Sequence, residues 1–339
     1  MQVMSRSPEK SGRPLHVGVV GVGVMGSNHA RVFADMPGVH LAGVADSDPG
    51  HAALVGEAVG CAAVADIEAL MDLGVEALSI AAPTHLHHDL ALAAIRRGMH
   101  VMVEKPIASS VAEGQAIVAA AKRQNVTLMV GHVERFNPAV QSIKQALQGE
   151  EILSIGITRV GPFPPRMTNV GVVIDLAVHD IDLIRWFTDS DIVEVQPLLA
   201  SARAQQEDIA LLQFRTRSGV LAQINTNWLT PFKARTVHVA TRRKYVVSDL
   251  ITRQVTEYFG FQPDGSYSMR HPPVGHTEPL RAELMGFVRA IRSGSSPEVT
   301  GEEGVASLEV AIRCLNPEAV AGRDAATVVP RVFARQAAR

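Results

Sequence analysis

Cysteine is nearly absent from this sequence: Cys61 and Cys314 are the two in 339 residues. Two thiols cannot frame a chain of this length with disulfides, and they fit a reducing, cytoplasmic setting. Long apolar runs are missing too. No uninterrupted stretch of about 18 apolar residues occurs, so no membrane-spanning helix is expected. Residues 1–14 lack an apolar segment and carry Arg6, Lys10 and Arg13. They read as a disordered lead-in, neither signal peptide nor membrane span. An excess of one charge sign is also lacking. The formal net charge is −2, which gives no broad electropositive field, so neither nucleic acid nor an anionic membrane is an expected partner. There is no internal repeat and no low-complexity tract.

What is present is an ordinary globular balance, 47% hydrophobic and 19% charged, enough to bury a large core. The length exceeds what one core usually serves, so two domains are expected. In the first half, short apolar runs at 16–20, 40–45, 77–81, 100–103 and 127–130 alternate with helix-period segments at 27–35, 49–57, 67–71, 85–97 and 111–123. That alternation predicts βαβ units and a doubly wound parallel sheet covered on both faces. The character changes near Gly131. Asn137 and Pro138 suit an N-cap and first helical position for a helix to Leu147. A strand over 151–160, a Pro-rich loop through Pro162, Pro164 and Pro165, and a helix over 173–187 follow. Strands are then expected at 208–215, 220–227, 235–241, 244–247 and 251–259, mostly antiparallel because their links are short. A Gly/Pro/Ser-rich surface loop (260–275) and helices over 278–291 and 304–315 complete the chain. The domain expectation is therefore 1–14 lead-in, 15–131 nucleotide-binding domain and 132–339 α+β domain with a large open sheet.

Gly21, Gly23 and Gly26 form a GxGxxG sequence with Val24 and Met25 inside it, placed after a strand and opening a helix. The first glycine permits the tight turn, the second the close approach of a pyrophosphate, and the third tight helix–strand packing. The helix N-terminus then faces the phosphates with free N–H groups and the positive end of its dipole. Asp46 ends the second strand, where a carboxylate accepts from ribose hydroxyls and repels a 2′-phosphate. Ser47 and Asp48 follow, with no Arg or Lys to cradle that phosphate, so NAD is expected over NADP. Asp46 also suits a simple turn. After the strand at 77–81 come Pro83, Thr84, His85, His87 and His88. Thr84 suits an N-cap, and the loop, with His85 and His88, reads as a cofactor contact. The histidines lack carboxylate and thiolate partners nearby, so no metal site is expected.

Glu104, Lys105 and Pro106 follow the strand ending at Val103, and Glu104 and Lys105 are expected at the cofactor. In an open parallel sheet the ligand crevice lies outside the carboxyl ends of the strands. A lysine there is either solvated surface or an ammonium that hydrogen-bonds a reacting hydroxyl. Asp175, His179 and Asp182 stand at i, i+4, i+7 and would share one helix face. That pattern reads as a histidine base flanked by carboxylates, or as a solvated polar stripe.

The glycine fingerprint, Glu104-Lys105-Pro106 and the Asp175…His179 pair, in this order, resemble the glucose–fructose oxidoreductase and inositol dehydrogenase family (Gfo/Idh/MocA), from Leu15 to about Arg323. The resemblance implies a Rossmann domain, an α+β domain with a large open sheet, NAD as cofactor, and Lys105, Asp175 and His179 as the catalytic set. Segments 131–138, 159–166, 172–180 and 226–230 look like the branch that oxidises C3 of UDP-N-acetylglucosamine, whose 3-keto product feeds an aminotransferase. The uronate 3-dehydrogenases are close neighbours. Free-sugar or inositol oxidation and a non-enzymatic NAD sensor are the competing readings. One departure is Asn316-Pro317, where a proline would kink the last helix. For a sugar nucleotide, Arg135, Arg159 and Arg166 are candidate diphosphate ligands, and Asn169 and Asn227 could meet sugar hydroxyls or an acetamido group. The strands at 208–215 and 220–227 present a face that the helices leave open, so a homodimer or homotetramer through that sheet is expected.

Overall fold

The computed structural model describes residues 12–164 and 170–316. The expected lead-in lies mostly outside them. The first half runs β1 (Leu15–Val20), α1 (Val24–Ala34), β2 (Val39–Ala45), α2 (Pro49–Val59), β3 (Ala62–Val64), α3 (Ile67–Asp72), β4 (Ala77–Ile80), α4 (Thr84–Arg96), β5 (His100–Glu104), α5 (Val111–Gln124) and β6 (Leu128–Gly131). The strands form a six-stranded sheet in the order β3-β2-β1-β4-β5-β6. The chain winds outward from β1 in one direction and then from β4 in the other, so the order reverses between β1 and β4. Val17, Val19, Leu78, Ile80, Val101 and Val103 are fully buried, as strands covered on both faces must be. Local signals fix the helices. α2 has Asp48 as N-cap, accepting from the N–H groups of Gly50 and His51, Pro49 in its first turn, and Gly60 in the left-handed region as its stop.

The second half begins with a 3-10 turn (Val133–Phe136), then α6 (Pro138–Ala146) and β7 (Ile152–Val160). A π-helical turn (Val173–Ala177) leads into α7 (Val178–Thr188). Then come β8 (Ile192–Ala200), β9 (Ile209–Thr216), β10 (Leu221–Asn227), β11 (Ala234–Thr241), β12 (Lys244–Asp249), β13 (Gln254–Phe259), β14 (Ser268–Arg270), α8 (Pro279–Ser293) and α9 (Gly301–Leu315). An eight-stranded sheet has the order β14-β13-β12-β11-β7-β10-β9-β8. Its pairings are antiparallel except for β7 with β10. One face packs Ile155, Ile157, Leu212, Phe214, Ile224, Val237 and Val239 against α6, α7 and α9. On the other face Leu211, Gln213, Leu221, Gln223 and Asn225 remain exposed. That alternation is the mark of a sheet with one dry side.

Contacts divide the chain into two compact units. One holds the described residues up to Glu104, with Ala116–Met129 and Leu284–Glu298. The other holds Lys105–Gln115, the described residues of Val130–Glu283, and those from Val299 on.

Four features differ from the sequence pattern. β3, β8 and β14 are additional strands; β3 and β14 have three residues each, and β8 carries Pro197, tolerated because β8 lies at the sheet edge. The helix expected from 173 starts as a π turn. The strand expected from 251 starts at Gln254, after a turn. Finally, α9 is not kinked by Pro317: it ends at Leu315, and the Asn316 N–H closes on the Ile312 carbonyl at 3.0 Å. The residue before a proline is biased away from helical geometry, so the helix stops there.

Candidate active site

In the first unit, Gly21 has φ +79°, and a Cβ built on it would lie 2.6 Å from the Ala82 backbone. A Cβ on Gly26 would lie 1.8 Å from the Gly21 carbonyl oxygen, whereas one on Gly23 would meet nothing within 4 Å. Turn and packing thus demand glycine at two positions, and open space remains at the third. Gly23 caps α1, and among the described residues no side chain caps it, so the N-terminal amides of the helix are left for a ligand. Val24 and Met25 at that end are exposed.

Asp46 closes the same loop. Its Oδ2 accepts the Val22 N–H at 2.7 Å and its Oδ1 accepts the Asp48 N–H at 3.0 Å. Burial opposes its ionisation, but these two backbone donors, together with His51 and the Ser47 hydroxyl, hold the carboxyl below its ordinary pKa. Thr84 is not an N-cap. Pro83 occupies that position without a side-chain hydrogen bond, and Thr84 is the first helical residue. The three histidines disperse: His85 is exposed, His88 Nδ1 pairs with Asp89, and His87 is buried with Nε2 2.8 Å from the Ala82 carbonyl. Among the described residues no three His, Cys, Asp or Glu side chains gather as a metal site.

A buried triad ties the unit together. His29 of α1 has Nδ1 2.7 Å from Ser79 Oγ on β4 and Nε2 3.1 Å from Glu104 Oε1 on β5. Glu104 was expected at the cofactor, but its side chain turns inward to His29 and is buried. No local motif announces this triad, because its members are distant in sequence.

In the second unit, Lys105 Nζ donates to the main-chain carbonyl of Asp175 at 2.7 Å and to its Oδ1 at 3.3 Å. The Lys105–Pro106 peptide is cis. Asp175 sits in the π turn, where the shifted i→i+5 bonding pattern reorganises the carbonyls. The turn starts tightly. A Cβ on Gly171 would collide with Glu207, whose Oε1 accepts the Val173 N–H at 3.1 Å.

The flanked-histidine arrangement does not form: the π turn breaks the α-helical spacing between Asp175 and His179, and Asp182, in regular helix with His179, is taken by another partner. Asp175 faces Lys105, and Asp182 is buried on Arg135, which donates to both its oxygens at 2.7 Å. His179 keeps some solvent exposure. Its Nδ1 is buried with no hydrogen-bond partner among the described residues. His132, itself 3.9 Å from Asp182, packs edge-on to the His179 ring at 6.3 Å between centroids. Burial first, then the charges of Lys105 and Arg159, the neighbouring His132 and the charge of Arg235, drive the His179 pKa well below 6.5. The imidazole is therefore neutral and able to accept a proton.

The structure does not offer Arg135 or Arg159 to a ligand. Both are about 2% exposed. Arg135 also binds Glu303 at 2.7 Å. Arg159 closes on both oxygens of Asp180 at 2.7–3.0 Å and on Glu134 at 2.8 Å. Every guanidinium nitrogen of the two donates to a carboxylate brought in by the fold. Asn227 is half-buried, and its Oδ1 accepts the Leu229 N–H at 3.1 Å, so that oxygen serves a turn. Arg166 and Asn169 lie outside the described residues.

Residues 15–132 match the family model described as an oxidoreductase family with an NAD-binding Rossmann fold, and residues 158–247 match the GFO/IDH/MocA C-terminal domain. The UDP-N-acetylglucosamine 3-dehydrogenase of Acidithiobacillus ferrooxidans is 30% identical over 282 residues, covering 82% of this chain and 88% of that protein. An inositol 2-dehydrogenase of Rubrobacter xylanophilus is 31% identical over 316 residues, covering 88% of this chain and 89% of that one. A solved structure of the Acidithiobacillus enzyme matches with a TM-score of 0.82 at 28% identity, covering 88% of this chain and 95% of that one. The chain belongs to the Gfo/Idh/MocA oxidoreductase family.

It is an NAD-dependent dehydrogenase. The first unit fits the cofactor of this family: open space at Gly23 and an uncapped α1 suit a pyrophosphate, and the ionised Asp46 suits ribose hydroxyls.

Proposed function

We propose that this dehydrogenase oxidises the C3 hydroxyl of UDP-N-acetylglucosamine to the 3-keto sugar nucleotide, which an aminotransferase then consumes. The observation that carries the reading is the joining of Lys105 to Asp175 in the unit that also holds a neutral His179. The 3-dehydrogenase from Acidithiobacillus, similar over most of its length, supports the choice of substrate.

NAD, when bound, supplies the acceptor for the hydride that leaves the carbinol carbon. The chain's own residues handle the proton and the charge. His179 Nε2 takes the hydroxyl proton, with the buried Nδ1 carrying the other hydrogen. The Lys105 ammonium donates to the oxygen on which negative charge grows. Asp175 fixes that ammonium through two acceptors, so the donor does not have to be ordered during the reaction.

The test couples the chain, NAD and UDP-N-acetylglucosamine to a 3-keto sugar nucleotide aminotransferase with an amino donor. Mass spectrometry should find a 3-amino sugar nucleotide; its absence sinks the substrate assignment. A second reading, oxidation of a free polyol, is supported by the relatives named as inositol 2-dehydrogenases. Turnover of inositol without a nucleotide would favour it. We place the enzyme in the cytoplasm, in keeping with its two free cysteines; among the described residues no helix is long and apolar enough to cross a membrane.

A further inference from the structure

Glu134 is buried between two arginines. Its Oε1 accepts from Arg159 Nη1 at 2.8 Å and from Arg235 Nη1 at 2.9 Å. Arg159 and Arg235 are direct cross-strand neighbours on β7 and β11, a placement of like charges that repels unless anions lie between them. The two are not equivalent. All three guanidinium nitrogens of Arg159 donate to Glu134 or Asp180. The Arg235 guanidinium makes one hydrogen bond among the described residues, to Glu134, and the side chain is 36% exposed.

A guanidinium carries five N–H donors in a rigid fork. Balancing the buried charge of Glu134 and Asp180 requires a second cation beside Arg159, and a lysine would meet that need with one contact. The fork of Arg235 exceeds it. Glu134 fixes one corner, and the other donors lack a protein partner among the described residues.

The neighbourhood is that of the catalytic residues. Arg159 holds Asp180, which follows His179 in α7. Burial and the charge of Arg159 lower the Arg235 pKa, while Glu134, Asp180 and Asp175 act in the other direction. Arg235 in turn is among the charges acting on His179, after burial, Lys105, Arg159 and His132.

We propose that Arg235 is the anion-binding residue of the substrate site, using its spare N–H groups to grip an oxyanion carried by the sugar substrate. The oxyanion is either a carboxylate on the sugar ring or a phosphate oxygen of the nucleotide diphosphate. This rests on the sugar nucleotide reading above. It also supplies the cation that Arg135 and Arg159, closed by their own carboxylates, do not.

The experiment is steady-state kinetics of the full chain with NAD for wild type, Arg235→Lys and Arg235→Gln. The substrates are UDP-N-acetylglucosamine, its C6 uronate and myo-inositol. Arg235→Lys keeps the charge balance around Glu134, so it stays informative if Arg235→Gln unfolds. For the anionic substrate, KM should rise about tenfold or more in both variants, the scale of a lost charge-assisted fork. kcat should change far less, and KM for NAD should hold. A rise confined to the uronate assigns the carboxylate; a rise for both sugar nucleotides assigns the diphosphate. Unchanged KM for both sugar nucleotides overturns the role of Arg235 and leaves the substrate reading standing. An equal KM rise for myo-inositol overturns the anion role as well. Wild-type turnover of myo-inositol alone overturns both readings together.

Discussion

The ammonium of Lys105 is held by Asp175 twice over, by the main-chain carbonyl at 2.7 Å and by Oδ1 at 3.3 Å. A residue of a π turn therefore contributes to both the position and the charge balance of the proposed oxyanion donor. Lys105→Met should lower kcat by about 10²-fold or more, the scale of acid–base catalysis. NAD binding, measured by fluorescence titration, should persist because the nucleotide fingerprint lies in the other unit. Asp175→Asn keeps the carbonyl contact and should cost less than Lys105→Met. Wild-type turnover in Lys105→Met would remove the residue from the mechanism.

His179 sets the pH dependence. Burial and the nearby Lys105, Arg159, His132 and Arg235 hold its pKa well below 6.5, so the base form persists as the medium becomes acidic. The acid limb of kcat/KM should therefore lie clearly below the ordinary histidine range. The same shift has a stability counterpart. Between the folded pKa and 6.5 the unfolded chain binds a proton that the folded one does not, so stability falls as pH drops through that window. His179→Asn should abolish turnover and remove this component of acid sensitivity. An acid limb centred at or above 6.5 would contradict the neutral-base assignment.

Asp46 should govern the choice of cofactor. Its carboxylate is ionised, and a 2′-phosphate brought near it would be repelled. Asp46→Ala should raise KM for NAD and narrow the preference for NAD over NADP, read as the ratio of the two kcat/KM values. The Val22 N–H loses its acceptor in this variant, so the cofactor loop should loosen as well. An unaltered ratio would show that Asp46 serves only the turn.

How much of this was legible in the sequence depends on how local each constraint is. The glycine fingerprint was readable because Gly21, Gly23 and Gly26 obey rules set within six residues and one strand end. Asn137-Pro138 announced α6 for the same reason. The π turn was not readable: it shifts the hydrogen-bond pattern by one residue, and side-chain periodicity does not report that. Arg135 and Arg159 looked like phosphate ligands because a sequence does not show that Asp182, Glu303, Asp180 and Glu134 converge on them. Arg235 was passed over because it opens the expected strand at 235–241, where a charged residue reads as an outward-facing surface position. β8 was hidden by Pro197, which argues against a strand everywhere except an edge.

The open face of the eight-stranded sheet bears on assembly. Leu198 on β8 lies directly opposite Leu211 on β9, and both are exposed, as is Leu221 on β10. Exposed apolar side chains on the sheet face opposite α6, α7 and α9 favour burial against a second copy. We expect a homodimer or homotetramer through this face. Light scattering should give a multiple of the chain mass, and Leu211→Arg should shift it toward monomer while secondary structure by circular dichroism stays unchanged. A wild-type monomer at working concentration would contradict the expectation.

Arg135 offers the sharpest separation between a structural and a ligand-binding arginine. It sits in a cluster with the buried Asp182 and Ser307 and the half-buried Glu303, Ser307 donating to Asp182 Oδ1 at 3.2 Å. Removing one partner of a buried pair strands the other charge and costs about 3–5 kcal/mol. Arg135→Met should therefore lower the midpoint of urea unfolding substantially, and pairing it with Asp182→Leu should recover part of the loss. At low temperature, where the variant remains folded, KM for the sugar nucleotide should match wild type. The opposite pattern, an unchanged midpoint with a raised KM, would return Arg135 to the substrate site, and the burial of its guanidinium argues against that outcome.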